Sequence, residues 1–134
     1  MFPGRSEKFP TYPLVENDHV IMRHDMTEAN LRPGGYISGP SQMALADHAA
    51  YVAIFTRTGI IPMAVTSNLN IDFLRPCIGT ALIADAQLIK LGKNLAVTTV
   101  DIRAEGNEKL SSRATVTYVI PQTERLSPLR TQEG

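Results

Sequence analysis

Residues 43–55, MALADHAAYVAIF, constrain the fold more than any other part of the chain, because nearly every position is apolar around the full turn of a helix. The run falls short of the ~20 residues that a membrane span requires, and Asp47 and His48 interrupt it. A helix of this kind has to be buried by the rest of its own domain, and the expectation is burial on all sides. Pro40 suits the first helical turn, Ser38 or Gly39 can occupy the cap, and Gly59 follows Thr58 at the expected end.

The flanking segments read as strands. HVIMRHDMT (19–27) has a β-friendly composition, and the loop EANLRPGGYISGP leads from it into the helix. Beyond the helix, MAVTSNLNIDFL has a period of two. Met63, Val65, Leu69, Ile71 and Phe73 are expected on one face, with Thr66, Asn68, Asn70 and Asp72 on the other. TALIADAQLIKL, NLAVTTVDIRA and KLSSRATVTYVI follow, joined by the short turns LGKN and EGNEK that favour antiparallel hairpins. One strand, one helix and four strands make an α+β domain: a sheet of about five strands with the helix plugging its apolar face.

At 134 residues the chain suits one domain, expected over residues 14–120 between a proline-rich extension (1–13) and a polar tail (121–134). Lysine plus arginine and aspartate plus glutamate both total 13, so overall charge recruits neither nucleic acid nor an anionic membrane. The single cysteine, Cys77, excludes an internal disulfide and reads as a packing residue. The N-terminus, broken by prolines and charges, lacks the apolar stretch of a secretory signal, and the expected location is cytoplasmic.

Asp47 is the residue that needs a reason, since a carboxylate within an apolar helix is expensive to remove from water. It either sits at a helix edge, solvated or paired with a structural donor, or serves as a general base or nucleophile in a cleft. The helix N-terminus at Gly39 offers free N–H groups to an anion or developing oxyanion, although a plain cap explains it equally well. Asp47 lies eight residues beyond Gly39, hence ~12 Å along the axis, too far for both to reach one carbonyl. A second copy of the helix, antiparallel across a two-fold dimer, would bring the pair together.

Other polar residues carry weaker signals. His48 points about 100° away from Asp47 around the helix, which argues against an Asp–His catalytic pair, and His19 and His24 face opposite sides of their strand, so no metal site is expected. Lys90, Lys93, Arg75 and Arg103 are candidates to meet an anionic ligand or simply solvated charges.

The runs ISGPSQMALADHAAYVAIF, AVTSNLNIDFLRP and LGKNLAVTTVDI resemble the PaaI-like (phenylacetyl-CoA thioesterase-like) branch of the hotdog superfamily, over residues 30–120. The resemblance implies a curved antiparallel sheet around one long helix, assembly as a homodimer or homotetramer with shared active sites, and hydrolysis of an acyl-CoA thioester. It implies Asp47 as the catalytic carboxylate, the Gly39 amide as the group polarising the carbonyl, and Thr66 as a hydroxyl holding the attacking water. Asn30 matches the loop asparagine that, with Ser38, would contact substrate. Ser38 replaces the usual histidine and Pro40 the second glycine, which bears on the loop's geometry. No cofactor beyond the substrate's coenzyme A is expected. The rival readings are a non-catalytic acyl-CoA binding or regulatory protein and a hotdog hydratase or dehydratase.

Overall fold

The computed structural model describes residues 9–121. The expected polar tail beyond Pro121 and the first eight residues of the expected extension lie outside the described residues.

Helix α1 spans Gly39–Thr58, close to the expected bounds. Ser38 is its N-cap, with Oγ accepting from the Ser41 amide, and Gly59 ends it at φ 73°, a left-handed conformation glycine adopts without strain. The strands before it are β1 (Thr11–Glu16), β2 (His19–Asp25), β3 (Leu31–Arg32) and β4 (Tyr36–Ile37). After it come β5 (Val65–Phe73), β6 (Ala81–Leu91), β7 (Leu95–Ala104) and β8 (Ser112–Val119). Six of these form one antiparallel sheet in the order β1-β2-β6-β7-β8-β5, and β3 and β4 form a small hairpin of their own.

The sheet has six strands where about five were expected, and β1 is the addition. It starts at Thr11, ahead of the expected boundary at residue 14, and its prolines disguised it in the sequence. Pro13 has no N–H to give a ladder, and it falls where the β1–β2 register shifts, on an edge strand that tolerates the loss. A two-residue turn, Asn17 and Asp18, closes this hairpin with Asp18 at φ 72°. The hairpin is tied to the end of α1: Thr56 Oγ1 lies 3.0 Å from the Asp18 amide that donates to it, and Arg57 donates to the Asp18 carboxylate at 2.8 Å.

Alternating inward residues of the strands cover α1. Val20 and Met22 of β2, Leu82, Ala84 and Ala86 of β6, Val100 and Ile102 of β7, and Ala114 and Val116 of β8 are buried with Leu45, Ala46, Ala49, Ala53 and Ile54 of the helix. Alanines let helix and sheet approach closely, and each fully buried Ile, Leu or Met adds about 1.5–3 kcal/mol over leaving it in water. The expectation of burial on all sides is corrected here. Met43, Ala44 and His48 are exposed, Asp47 and Tyr51 are half-buried, and the helix presents an open stripe between β5 and β2. The stripe is open because the sheet, ending at β5 on one side and β1 on the other, does not close around it.

Candidate active site

Asp47 borders this open stripe, and two hydroxyls converge on one of its oxygens. Thr66 Oγ1 donates to Asp47 Oδ1 at 2.7 Å, and Tyr118 OH donates to the same atom at 3.0 Å. The Tyr118 hydroxyl also lies 3.3 Å from the Asp47 carbonyl. Oδ2 meets no donor among the described residues. The three side chains line a cleft of about 470 Å³ with Ala44, Tyr51 and Ala64. Tyr118 is only 4 % exposed and stacks on Tyr51 with ring centroids 5.3 Å apart. Burial, chiefly, and the nearby Asp47 charge push its phenol well above the usual tyrosine range, so it remains a donor throughout the ordinary pH range.

Thr66 reaches Asp47 through an irregularity that the period-two reading did not foresee. β5 pairs Thr66 with Tyr118 and then Asn68 with Thr117, so Ser67 is an extra residue, a bulge. Before the bulge even-numbered residues face the helix, and after it odd-numbered ones do: Leu69 and Ile71 lie opposite the buried Val116 and Ala114. The expected division, with Thr66 on the face opposite Leu69, is therefore corrected. One inserted residue puts the hydroxyl and the core-facing side chains on the same side. Asn68, Asn70 and Asp72 remain exposed on the outer face, as expected.

Sequence reasoning missed Tyr118. The signal was present in TVTYVI, where the inward alternation Ala114, Val116, Tyr118 ends on a residue whose hydroxyl needs a partner when buried.

Asn30, Ser38 and Ser41 come together at the start of α1. Asn30 Nδ2 donates to Ser41 Oγ at 3.1 Å, and Ser38 Oγ donates to the same atom at 2.9 Å. Asn30 Oδ1 receives the Thr27 amide, and the Asn30 carbonyl receives that of Ser38, fixing the loop onto the helix. Gly39 stands at the first helical position, its amide without an acceptor among the described residues. It lines a separate cleft with Arg32, Tyr36, Phe73 and Arg75. A Cβ at Gly39 would lie 3.1 Å from the Phe73 ring, so the glycine admits a close approach. Within one chain, then, the Gly39 cleft and the Asp47 cleft are distinct.

The remaining candidates fall elsewhere. His19 pairs with Asp85 at 2.7 Å on the outer sheet face, while His24 turns inward and donates through Nδ1 to the Asp25 carbonyl. The Asp25 carboxylate is held by Arg23 at 3.1 Å. Cys77 is buried, and burial pushes its thiol up.

His48 Nε2 lies 3.0 Å from Tyr12 OH. Partial burial of the ring, and secondarily the charge of His24, hold its pKa below the ordinary 6.5, with Asp47 opposing. Between the lowered folded value and about 6.5 the unfolded chain binds more protons, so stability is full above about pH 6.5 and declines as pH falls. We expect the melting temperature to drop below about pH 6.5, and His48→Gln to flatten that decline when both proteins are followed by thermal unfolding.

One helix wrapped by an antiparallel sheet, with a carboxylate at the open helix stripe, defines a hotdog domain of thioesterase type. Residues 34–111 match the thioesterase superfamily, and the chain belongs to that family. A Thermoplasma acidophilum protein described as an esterase is 35% identical over 108 residues, spanning 79% of each chain. The crystal structure of a protein described as a thioesterase from Silicibacter sp. TM1040 superposes with a TM-score of 0.77 at 39% identity, covering 84% of this chain and 78% of that one. A Ralstonia eutropha structure described as a phenylacetic acid degradation-related thioesterase gives 0.75 at 25% identity, covering 83% and 84%. The resemblance to PaaI-like proteins and the expected fold are borne out.

Proposed function

We propose that the protein hydrolyses acyl-CoA thioesters, with Asp47 as general base or nucleophile. The observation that carries this reading is the pair of donors on Asp47 Oδ1. Thr66 and Tyr118 occupy that oxygen and fix the rotamer, which leaves Oδ2 to act. In the base role Oδ2 takes a proton from water as the water oxygen bonds to the thioester carbon. The carbonyl oxygen becomes an oxyanion, and its collapse breaks the C–S bond and releases coenzyme A thiolate, which is then protonated. In the nucleophile role Oδ2 itself attacks and water cleaves the resulting anhydride.

The oxyanion calls for the backbone amide at the helix N-terminus, and within one chain the Gly39 amide lies in a cleft separate from that of Asp47. A homodimer supplies it: β5 is an exposed sheet edge, and pairing two such edges would set two α1 stripes against each other with Gly39 of one chain near Asp47 of the other. Asn30 and Ser38 then support the loop that presents Gly39 and meet the substrate. Arg32 and Arg75, which line the cleft beside Gly39, would meet the coenzyme A phosphates in this reading. The reaction needs no metal or further cofactor, and its setting is the cytoplasm. Among the described residues no helix is long and apolar enough to cross a membrane.

The test is release of free thiol from a panel of acyl-CoA esters by the purified protein. Tyr118→Phe keeps the ring and its stacking on Tyr51 but removes one donor. Its kcat should fall about tenfold with KM nearly unchanged, because the lost hydrogen bond orients the reacting carboxylate and does not hold substrate. Acyl-CoA that binds without releasing thiol would instead identify a non-catalytic binding protein.

A further inference from the structure

A second cleft, of about 520 Å³, lies beside the Asp47 cleft and shares Ala44 and His48 with it. Met22, Met26, Pro40 and Leu45 make most of its lining apolar. It follows α1 from Ser41 to His48, ~10 Å at the helical rise, and meets the first cleft at Ala44 and His48. A chain entering from the thioester carbonyl would pass Ala44, the smaller of the two side chains that both clefts share.

Polar groups interrupt this lining, and their hydrogen bonds show which remain open to a ligand. His48 Nε2 is engaged with Tyr12. Ser41 Oγ accepts from both Asn30 and Ser38, which leaves its own proton to donate. His24 donates through Nδ1 to the Asp25 carbonyl, so Nε2 is the ring nitrogen left without a partner among the described residues. A purely apolar ligand would strip water from the His24 nitrogen and the Ser41 hydroxyl and return nothing. A ligand with one oxygen function on an apolar chain satisfies them.

Resting on the thioesterase reading, we infer that this cleft receives the acyl chain and that His24 and Ser41 select acyl groups of medium length bearing a hydroxyl remote from the thioester. The hydroxyl donates to His24 Nε2 or accepts from Ser41.

The experiment compares ω-hydroxyacyl-CoA esters, from hydroxybutanoyl to hydroxydecanoyl, with unsubstituted esters of equal chain length, measuring thiol release. At the best length the hydroxy ester should exceed its methyl-ended partner in kcat/KM by about tenfold, the scale of one net hydrogen bond. His24→Leu should erase that ratio and His24→Gln, which keeps a hydrogen-bonding side chain, should retain part of it. Ser41→Ala provides a second reading if His24→Leu does not fold. Equal rates for the paired esters at every length, or a preference that survives in both His24→Leu and Ser41→Ala, would overturn the pocket's assignment while leaving the thioesterase reading intact. Absence of thiol release from every ester would remove both.

Discussion

Asp47→Asn should abolish turnover while sparing the fold. The amide is isosteric with the carboxylate, and its carbonyl oxygen can still accept from Thr66 and Tyr118, so the cleft keeps its shape. What the variant lacks is an anionic oxygen in the place of Oδ2, needed both to take a proton from water and to attack a carbonyl. We expect kcat to fall at least ~100-fold with KM and melting temperature little changed. Thiol-release kinetics, with thermal unfolding as the control, measure both sides of this statement. Turnover within a few-fold of the parent would make Asp47 a structural acceptor for two hydroxyls and nothing more.

Mixing two inactive variants should restore activity if each site draws on two chains. Asp47→Asn supplies one lesion and Gly39→Val the other. A valine at Gly39 begins with a Cβ 3.1 Å from the Phe73 ring, which is half exposed and able to swing aside, and its branches then crowd the carbonyl's approach to the amide. In a mixed dimer one site carries both lesions and the other carries neither. Random reassortment makes about half of the dimers mixed, so activity should return to roughly a quarter of the parent's when sites act independently. Co-refolding of the two chains ensures exchange. Failure to recover, with mixed dimers demonstrated and both variants folded, would place Gly39 and Asp47 outside any common site.

The helix was the most legible element of the sequence because its signals are local: Ser38 and Pro40 at the start, Gly59 at the end, and an apolar composition between. The hairpin strands were legible for the same reason. β1 was hidden because prolines speak against a strand in general, while an edge strand with a register shift accommodates one. The helix's open stripe was hidden because composition states how apolar a surface is and not whether the chain itself covers it. At the site, Asp47 stood out as a charge among apolar residues. Its link to Thr66 and Tyr118 depended on cross-strand register, a long-range property: Thr66 lies directly opposite Tyr118, 52 positions further along the chain.

The extra residue at Ser67 divides β5 into two parts of opposite phase. Beyond it, Leu69 and Ile71 answer to the core; ahead of it, Thr66 answers to Asp47. Side chains of the core half can be exchanged for others of similar volume without re-aiming the hydroxyl, and the reactive half can drift without disturbing the packing. Deleting this one serine would couple the halves again, turning Thr66 outward while Leu69 and Ile71 kept their places, so the chain could remain folded with its carboxylate short of one donor. A single codon at an exposed position thus behaves as a clutch between the stability of the domain and the orientation of its reacting group.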